Sequence, residues 1–186
     1  TYMGRITFIT GGARSGKSTY AERIAKESNK QIAYIATSIP FDDGMKSRIK
    51  KHRAQRPKEW ATIEKYRDFN EVVELQDYQE ADILLVDCVT VMINNLMFYS
   101  GLDFDTCEVE EVDVLEKEII EEVKKLLDLS HEKDMIIVTN ELGMGLVPAY
   151  KMGSYYRDIV GRINQYIASR ADDVYFIVSG LQMKIK

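Results

Sequence analysis

The chain predicts an α/β fold built on a mainly parallel sheet, and three observations carry that prediction. Short β-branched and apolar runs alternate with longer amphipathic stretches. The short runs are apolar almost throughout rather than at every second residue, as expected of strands covered on both faces. A glycine-rich segment joins the first run to the first amphipathic stretch. With 186 residues and no linker, internal repeat or shift in composition, residues 1–186 read as a single domain. Hydrophobic residues make up 45% and charged residues 30%, enough apolar material for a sizeable core. A disordered tail, a collagen and a disulfide-stapled miniprotein are thereby excluded.

Taken in order, the first strand is 5–10 (RITFIT), followed by the glycine-rich segment and a helix over 17–27. The second and third strands are 31–36 (QIAYIA) and 82–87 (DILLVD). The helix over 108–129 has the clearest pattern: Val112, Leu115, Ile119, Val123 and Leu126 recur at three- and four-residue steps beside a Glu/Lys face. Strand 134–139 (DMIIVT) follows, then a helix over 154–170 carrying Ile159, Ile163, Tyr166 and Ile167, then strand 173–178 (DVYFIV). Thr1 and Tyr2 precede Met3 and are left out of the reading.

The net charge of −5 is unevenly spread. Residues 44–58 hold seven cations (Lys46, Arg48, Lys50, Lys51, Arg53, Arg56 and Lys58) and no acid. A basic island on an acidic body suits a small polyanion such as a nucleotide, whereas a nucleic-acid binder would be basic overall. No apolar stretch approaches the roughly 18 residues of a membrane span, and no signal-peptide pattern opens the chain. Cys88 and Cys107 have no metal-ligand spacing and read as reduced thiols. A cytoplasmic protein is expected.

Gly11-Gly12-Ala13-Arg14-Ser15-Gly16-Lys17-Ser18 satisfies G-x-x-x-x-G-K-[ST] between a predicted strand and a predicted helix. Glycines let the backbone wrap closely around phosphate oxygens. Loop N–H groups and the helix N-terminus face the anion. Lys17 adds a charge for the β- and γ-phosphates, and Ser18 a hydroxyl for Mg²⁺. Asp87 ends an apolar strand, where a carboxylate holds that Mg²⁺ directly or through water. Its ordinary alternative is to cap a following helix near Thr90.

The two histidines differ in setting. His131 sits between a helix and a strand in a polar loop, and solvation accounts for it. His52 lies among the cations, and a surface histidine on a charged helix is its plain reading. Neutral imidazole is also a nucleophile toward phosphorus. Neighbouring cations favour the neutral ring and would stabilise charge on a phosphoryl group under attack. The pattern thus permits nucleotidyl transfer through a phosphoramidate. Asn140-Glu141-Leu142-Gly143-Met144-Gly145 follows a strand and belongs at the edge where α/β sheets bind ligands. Arg157 and Arg162 share a helix, with solvated charges as the default reading. A plain metabolite kinase, which leaves His52 idle, and a nucleotide switch sensing the γ-phosphate through Thr37 are the competing readings. The basic island favours a nucleotidyltransferase over a switch.

Together these motifs closely resemble the bifunctional adenosylcobinamide kinase / adenosylcobinamide-phosphate guanylyltransferases of cobalamin biosynthesis. The resemblance runs through most of the chain. It rests on residues 10–18, on 34–38, on 43–57 with His52-Arg53 leading to Arg56-Pro57, on 60–64, on 84–88 with Asn95-Leu96, on 138–148, on 157–165 and on Val178-Ser179-Gly180-Leu181. It implies a P-loop NTPase with a RecA-like, mostly parallel sheet flanked by helices. It also implies two reactions: phosphorylation of adenosylcobinamide by a nucleoside triphosphate (ATP or GTP), then transfer of GMP from GTP to that phosphate with release of pyrophosphate. In the resemblance His52 carries GMP covalently. Nucleotide contacts map onto Gly11 to Ser18, onto Ala36, Thr37 and Ser38, onto Arg53, Ala54, Gln55 and Arg56, and onto Glu64 and Asp87. Asp87 stands where some members carry Glu. A homotrimer, with no nucleic-acid partner, is implied as well.

Overall fold

A computed structural model describes residues 3–40 and 42–186; Thr1, Tyr2 and Phe41 lie outside it. Seven strands form one sheet: β1 (Ile6–Gly11), β2 (Ile32–Ala36), β3 (Ala61–Glu64), β4 (Ile83–Asp87), β5 (Asp134–Asn140), β6 (Asp173–Val178) and β7 (Leu181–Lys184). Their order is β3-β2-β4-β5-β1-β6-β7. All pairings are parallel except the β6–β7 hairpin. The helices are α1 (Lys17–Glu27), α2 (Asp43–Gln55), α3 (Gln76–Glu80), α4 (Val89–Phe98), α5 (Val109–Asp128) and α6 (Lys151–Arg170).

The five predicted strands are the five central ones, β2-β4-β5-β1-β6. Their side chains alternate between two cores. Phe8, Ile35, Leu84, Val86 and Ile137 pack beneath α4, α5 and α6. Ile9, Ile32, Leu85, Ile136 and Val138 pack beneath Ala21 and Ala25 of α1. A core on each face is why these strands are apolar almost throughout rather than at every second residue. The two strands that sequence reasoning missed, β3 and β7, are the sheet's edges. Only Ile63 is buried in β3, and β7 is exposed at every position, so neither leaves a hydrophobic signature.

Helix α1 spans the predicted residues. Helix α5 begins one residue later than predicted, where the Glu108 N–H donates to Glu111 Oε2 at 2.9 Å. Helix α6 starts three residues early, at Lys151, and its first turn holds the buried Gly153, where a Cβ would come within 2.9 Å of Pro148 and 3.0 Å of Tyr150. There the glycine serves close packing rather than a turn. Helices α2 and α4 escape periodicity for opposite reasons. Helix α2 buries no side chain, and α4 buries seven of its ten, so neither has the one-sided stripe that reveals a helix.

In register, Gly11 lies beside Asn140, while Ala36 lies beside both Glu64 and Asp87. The carboxyl ends of five parallel strands therefore present Gly11, Ala36, Glu64, Asp87 and Asn140 along one edge of the sheet. Ligands of open α/β sheets bind at that edge.

Candidate active site

The glycine-rich loop leaves β1 and turns into α1 through two left-handed residues, Arg14 (φ 55°) and Gly16 (φ 96°). A Cβ on Gly11 would lie 2.5 Å from Ser15 Oγ and 2.7 Å from the Ile177 carbonyl oxygen. The loop is held from two sides. The Glu141 N–H donates to the Gly11 carbonyl at 2.8 Å, and the Gly180 N–H, in the β6–β7 turn, donates to the Ser15 carbonyl at 2.7 Å. That second contact gives the Val178-Ser179-Gly180-Leu181 segment a role sequence reasoning did not assign: it buttresses the loop. Lys17 Nζ donates to the Gly12 carbonyl at 3.1 Å. Burial pushes its ammonium below the ordinary lysine range, and the nearby Cys88 and Asp87 oppose that shift. Ser15 Oγ and Thr10 Oγ1 are buried without a hydrogen-bond partner among the described residues. Gly12 faces open space, and a Cβ on Gly16 would press within 3.2 Å of Gly180 Cα. The result is a cradle open on one side and braced on the other.

A second group of predicted residues gathers over β2, β3 and β4. Ala36, Ser38, His52, Arg53, Arg56, Glu64 and Asp87 line one cavity of about 90 Å³ together with Tyr34, Ile49 and Thr62. His52 and Arg53 come from the last turn of α2. Arg56 is not a solvated cation of the basic island: it is buried, with its guanidinium 3.7 Å from the centre of the Tyr34 ring. Tyr34 in turn donates to Asp87 Oδ2 at 2.6 Å. Burial, and then Asp87, push the Tyr34 phenol far above its usual range, so it stays a donor. Asp87 does not cap α4, which has no side-chain cap.

Other predicted residues fall elsewhere. Thr37 is buried: its Oγ1 donates to the Cys88 carbonyl at 2.7 Å and accepts from the Cys88 N–H at 3.0 Å. Asn95 Nδ2 donates to the Thr37 carbonyl at 2.7 Å. Ala54 and Gln55 are exposed and do not line the cavity. Arg162 is engaged by Glu116 with N···O distances of 2.6–3.1 Å. Arg157 Nη2 donates to the Gly143 carbonyl at 2.5 Å. Cys88 is buried and Cys107 partly so, both free; burial raises the Cys88 thiol, leaving it protonated.

Sequence reasoning missed Tyr34 as a partner of Asp87. The signal was available, since a tyrosine in a strand apolar on both faces must place its hydroxyl somewhere. It also missed Thr90, whose Oγ1 accepts from Asn140 Nδ2 at 2.9 Å and whose carbonyl accepts from the Tyr156 hydroxyl at 2.8 Å. With Asn164 Nδ2 donating to the Asn140 carbonyl at 3.1 Å, these bonds pin the end of β5 to α4 and α6.

Ser18 and Asp87 offer hard oxygen donors. Among the described residues no three or more His, Cys, Asp or Glu side chains gather as a metal cage. The Ser18 hydroxyl and Asp87 carboxylate are oxygens of the kind Mg²⁺ takes, one or two from the protein with phosphate and water completing its shell.

Known proteins resemble this chain in fold and in sequence. Over 98% of the chain, the fold superposes on an ATPase from the type III secretion system of pathogenic bacteria, with a TM-score of 0.57 at 15% identity, covering 58% of that protein. The likeness bears on fold alone. The bifunctional adenosylcobalamin biosynthesis protein CobU of Escherichia coli K12 is 41% identical over 183 residues, which is 97% of this chain and 99% of that protein. Its Salmonella typhimurium namesake is 39% identical over the same shares. CobP of Pseudomonas aeruginosa, also named a bifunctional adenosylcobalamin biosynthesis protein, is 37% identical over 96% of this chain and 95% of its own length. Residues 7–185 match the family described as cobinamide kinase / cobinamide phosphate guanyltransferase. With that match and these near-full-length relatives, the chain belongs to the cobinamide kinase / cobinamide phosphate guanyltransferase family.

Proposed function

We propose that this protein performs both family reactions with residues divided between the phosphate loop and the His52 cavity. At the loop, Gly11 to Ser18 hold the triphosphate, and Lys17 stabilises the charge spreading over the γ-phosphoryl group as it passes to the cobinamide hydroxyl. Ser18 and Asp87 would hold Mg²⁺, which supplies further charge neutralisation at the phosphates. In the second reaction an imidazole nitrogen of His52 attacks the α-phosphorus of GTP. A P–N bond forms, the α–β bridging P–O bond breaks, and pyrophosphate leaves with the electron pair. A phosphate oxygen of cobinamide phosphate then displaces His52, giving the cobinamide-GDP product and free imidazole. Arg53 and Arg56 face the negative charge that develops in both displacements. Glu64 is assigned to the imidazole, guanine or ribose.

The observation that carries this reading is that His52 and the cations Arg53 and Arg56, from one short segment, share a cavity with Asp87, which lies 31 residues beyond Arg56 at the end of β4. A kinase alone has no use for a histidine there. Gly11 and Asp87 end the strands on either side of β5 at the same edge of the sheet, which supports one nucleotide serving both groups, its phosphates on the loop and its α-phosphorus toward His52. The protein is further read as a cytoplasmic homotrimer with no nucleic-acid partner. No helix among the described residues is long and apolar enough to cross a membrane.

The test is GTP labelled at the α-phosphate, incubated with the protein and Mg²⁺ and then denatured. Acid-labile, alkali-stable label is expected on wild type, and none on His52→Ala or from γ-labelled GTP. Absence of an adduct in protein shown to bind GTP removes His52 from this role and leaves the kinase reaction alone. Sedimentation checks the trimer.

A further inference from the structure

A second and larger cleft, of about 450 Å³, opens beside the phosphate loop. It lies over the ends of β1 and β5, whereas the His52 cavity lies over those of β2, β3 and β4. Gly12 and Ala13 form one wall, Glu141 stands at the end of β5, and Leu146, Tyr150 and Tyr156 belong to the loop and helix opposite. We propose that this cleft receives the alcohol arm of the corrinoid in the kinase reaction, and that the Glu141 carboxylate takes the hydroxyl proton. The proposal rests on the functional reading above and extends it to the acceptor.

Three observations carry it. First, the wall is the phosphate loop itself. An alcohol in the cleft stands next to the γ-phosphoryl group that the loop would hold, which is where an in-line acceptor must be.

Second, Glu141 is fixed relative to that loop. Its N–H is bonded to the Gly11 carbonyl, and its Oε1 accepts from the Gly143 N–H at 2.6 Å. The Thr90–Asn140–Asn164 bonds hold the residue before it. One carboxylate oxygen is thus anchored, and the group is partly buried. Phosphoryl transfer to an alcohol asks for an acceptor-orienting carboxylate of this kind.

Third, the loop that follows leaves large apolar side chains in solvent: Leu146 at 95% exposure, Val147 at 78%, Met144 at 74% and Tyr150 at 67%. Grouped exposure of this sort marks a binding surface. A corrinoid is too large for the cleft, but its rim carries methyl groups among its amide arms. Its alcohol arm would enter the cleft while the methyl-bearing rim of the ring rests on the apolar loop.

In the step, the hydroxyl oxygen bonds to the γ-phosphorus as the β–γ bridging P–O bond breaks. The nucleoside diphosphate leaves with that electron pair, and the hydroxyl proton passes to Glu141 and then to water.

The experiment compares wild type, Glu141→Gln and Leu146→Asp in cobinamide phosphorylation, with His52 labelling by α-labelled GTP on each protein as the reference. For Glu141→Gln, kcat for phosphorylation is expected to fall about 100-fold or more relative to the labelling rate, the size of a lost general base. KM for cobinamide should change little. For Leu146→Asp, KM for cobinamide is expected to rise about 10-fold or more at nearly unchanged kcat, from loss of apolar contact. Wild-type ratios in both variants overturn the proposal while leaving the functional reading intact. Wild type that phosphorylates no cobinamide overturns the functional reading and the proposal together. A Leu146→Asp protein of altered sedimentation, with KM for cobinamide unchanged per assembled subunit, assigns the loop to contact between copies and likewise overturns the proposal.

Discussion

At the scale of single residues, the site depends on a few side chains held at odds with their own solvation. Lys17 is the clearest. Burial disfavours its charge, and its resting partner is a carbonyl of its own loop; a triphosphate gives it a far better one. Lys17→Met is therefore expected to leave the ligand-free protein as stable as wild type or more so, and to weaken triphosphate binding roughly 10- to 100-fold, the value of a charged hydrogen bond. Thermal melting with and without nucleotide checks both halves. The pH dependence has a definite sign. A lysine whose folded pKa lies below 10.5 binds fewer protons folded than unfolded. Its contribution to ligand-free stability therefore grows as pH rises through the depressed pKa toward 10.5, and is least favourable below it. Triphosphate binding has the opposite dependence and weakens over the same interval. Tyr34 shows the same logic in a neutral group. Its hydroxyl donates to Asp87, and Arg56 lies on its ring, so one tyrosine orients both an acid and a cation of the cavity.

At the scale of elements, the phosphate loop owes its shape to parts distant in sequence. The β6–β7 turn supplies a hydrogen bond to Ser15 and a backbone wall against Gly16. Gly16 combines a left-handed φ of 96° with a prospective Cβ 3.2 Å from Gly180 Cα. Gly16→Ala is expected to cost about 1–3 kcal/mol, the range for a strained backbone position. It should weaken nucleotide binding beyond that loss, because the turn and loop must separate. Urea unfolding alongside nucleotide titration measures both, and a fully stable, fully binding variant would contradict the bracing role. Helix α2 presents the reverse situation. It carries His52, the proposed nucleophile, yet buries none of its own side chains; the buried contact next to it is Arg56, just past its C-terminal end, on the Tyr34 ring.

At the scale of the whole molecule, stability resides in the centre of the sheet and function along one of its edges. Phe8, at 1% exposure, fills the core between β1 and the α4–α6 layer, whereas Leu181, at 72%, lies on the outer strand. Phe8→Ala is expected to cost about 3–5 kcal/mol. Leu181→Ala should stay within about 0.5 kcal/mol. Denaturant midpoints at constant slope separate the two. Costs of similar size would show that the outer strand carries more of the fold than its exposure implies.

The sequence by itself determined the parts whose physics is local or periodic. Five central strands were legible because cores on both faces of the sheet call for apolar residues at most of their positions, and α5 because one buried face repeats every three to four residues. The phosphate loop was legible because backbone wrapped around an anion tolerates few residue types, and the family was legible through the motifs surrounding it. The tertiary structure decided what depends on neighbours. It added β3 and β7, whose exposed faces leave no pattern. It brought His52, Arg53, Arg56, Glu64 and Asp87 into one cavity while turning Thr37 inward and leaving Ala54 and Gln55 outside. It also turned Arg56 from an apparent surface charge into a buried cation on Tyr34. Composition records which groups a segment carries; only the register of parallel strands, which ends Ala36, Glu64 and Asp87 side by side, fixes which of them meet.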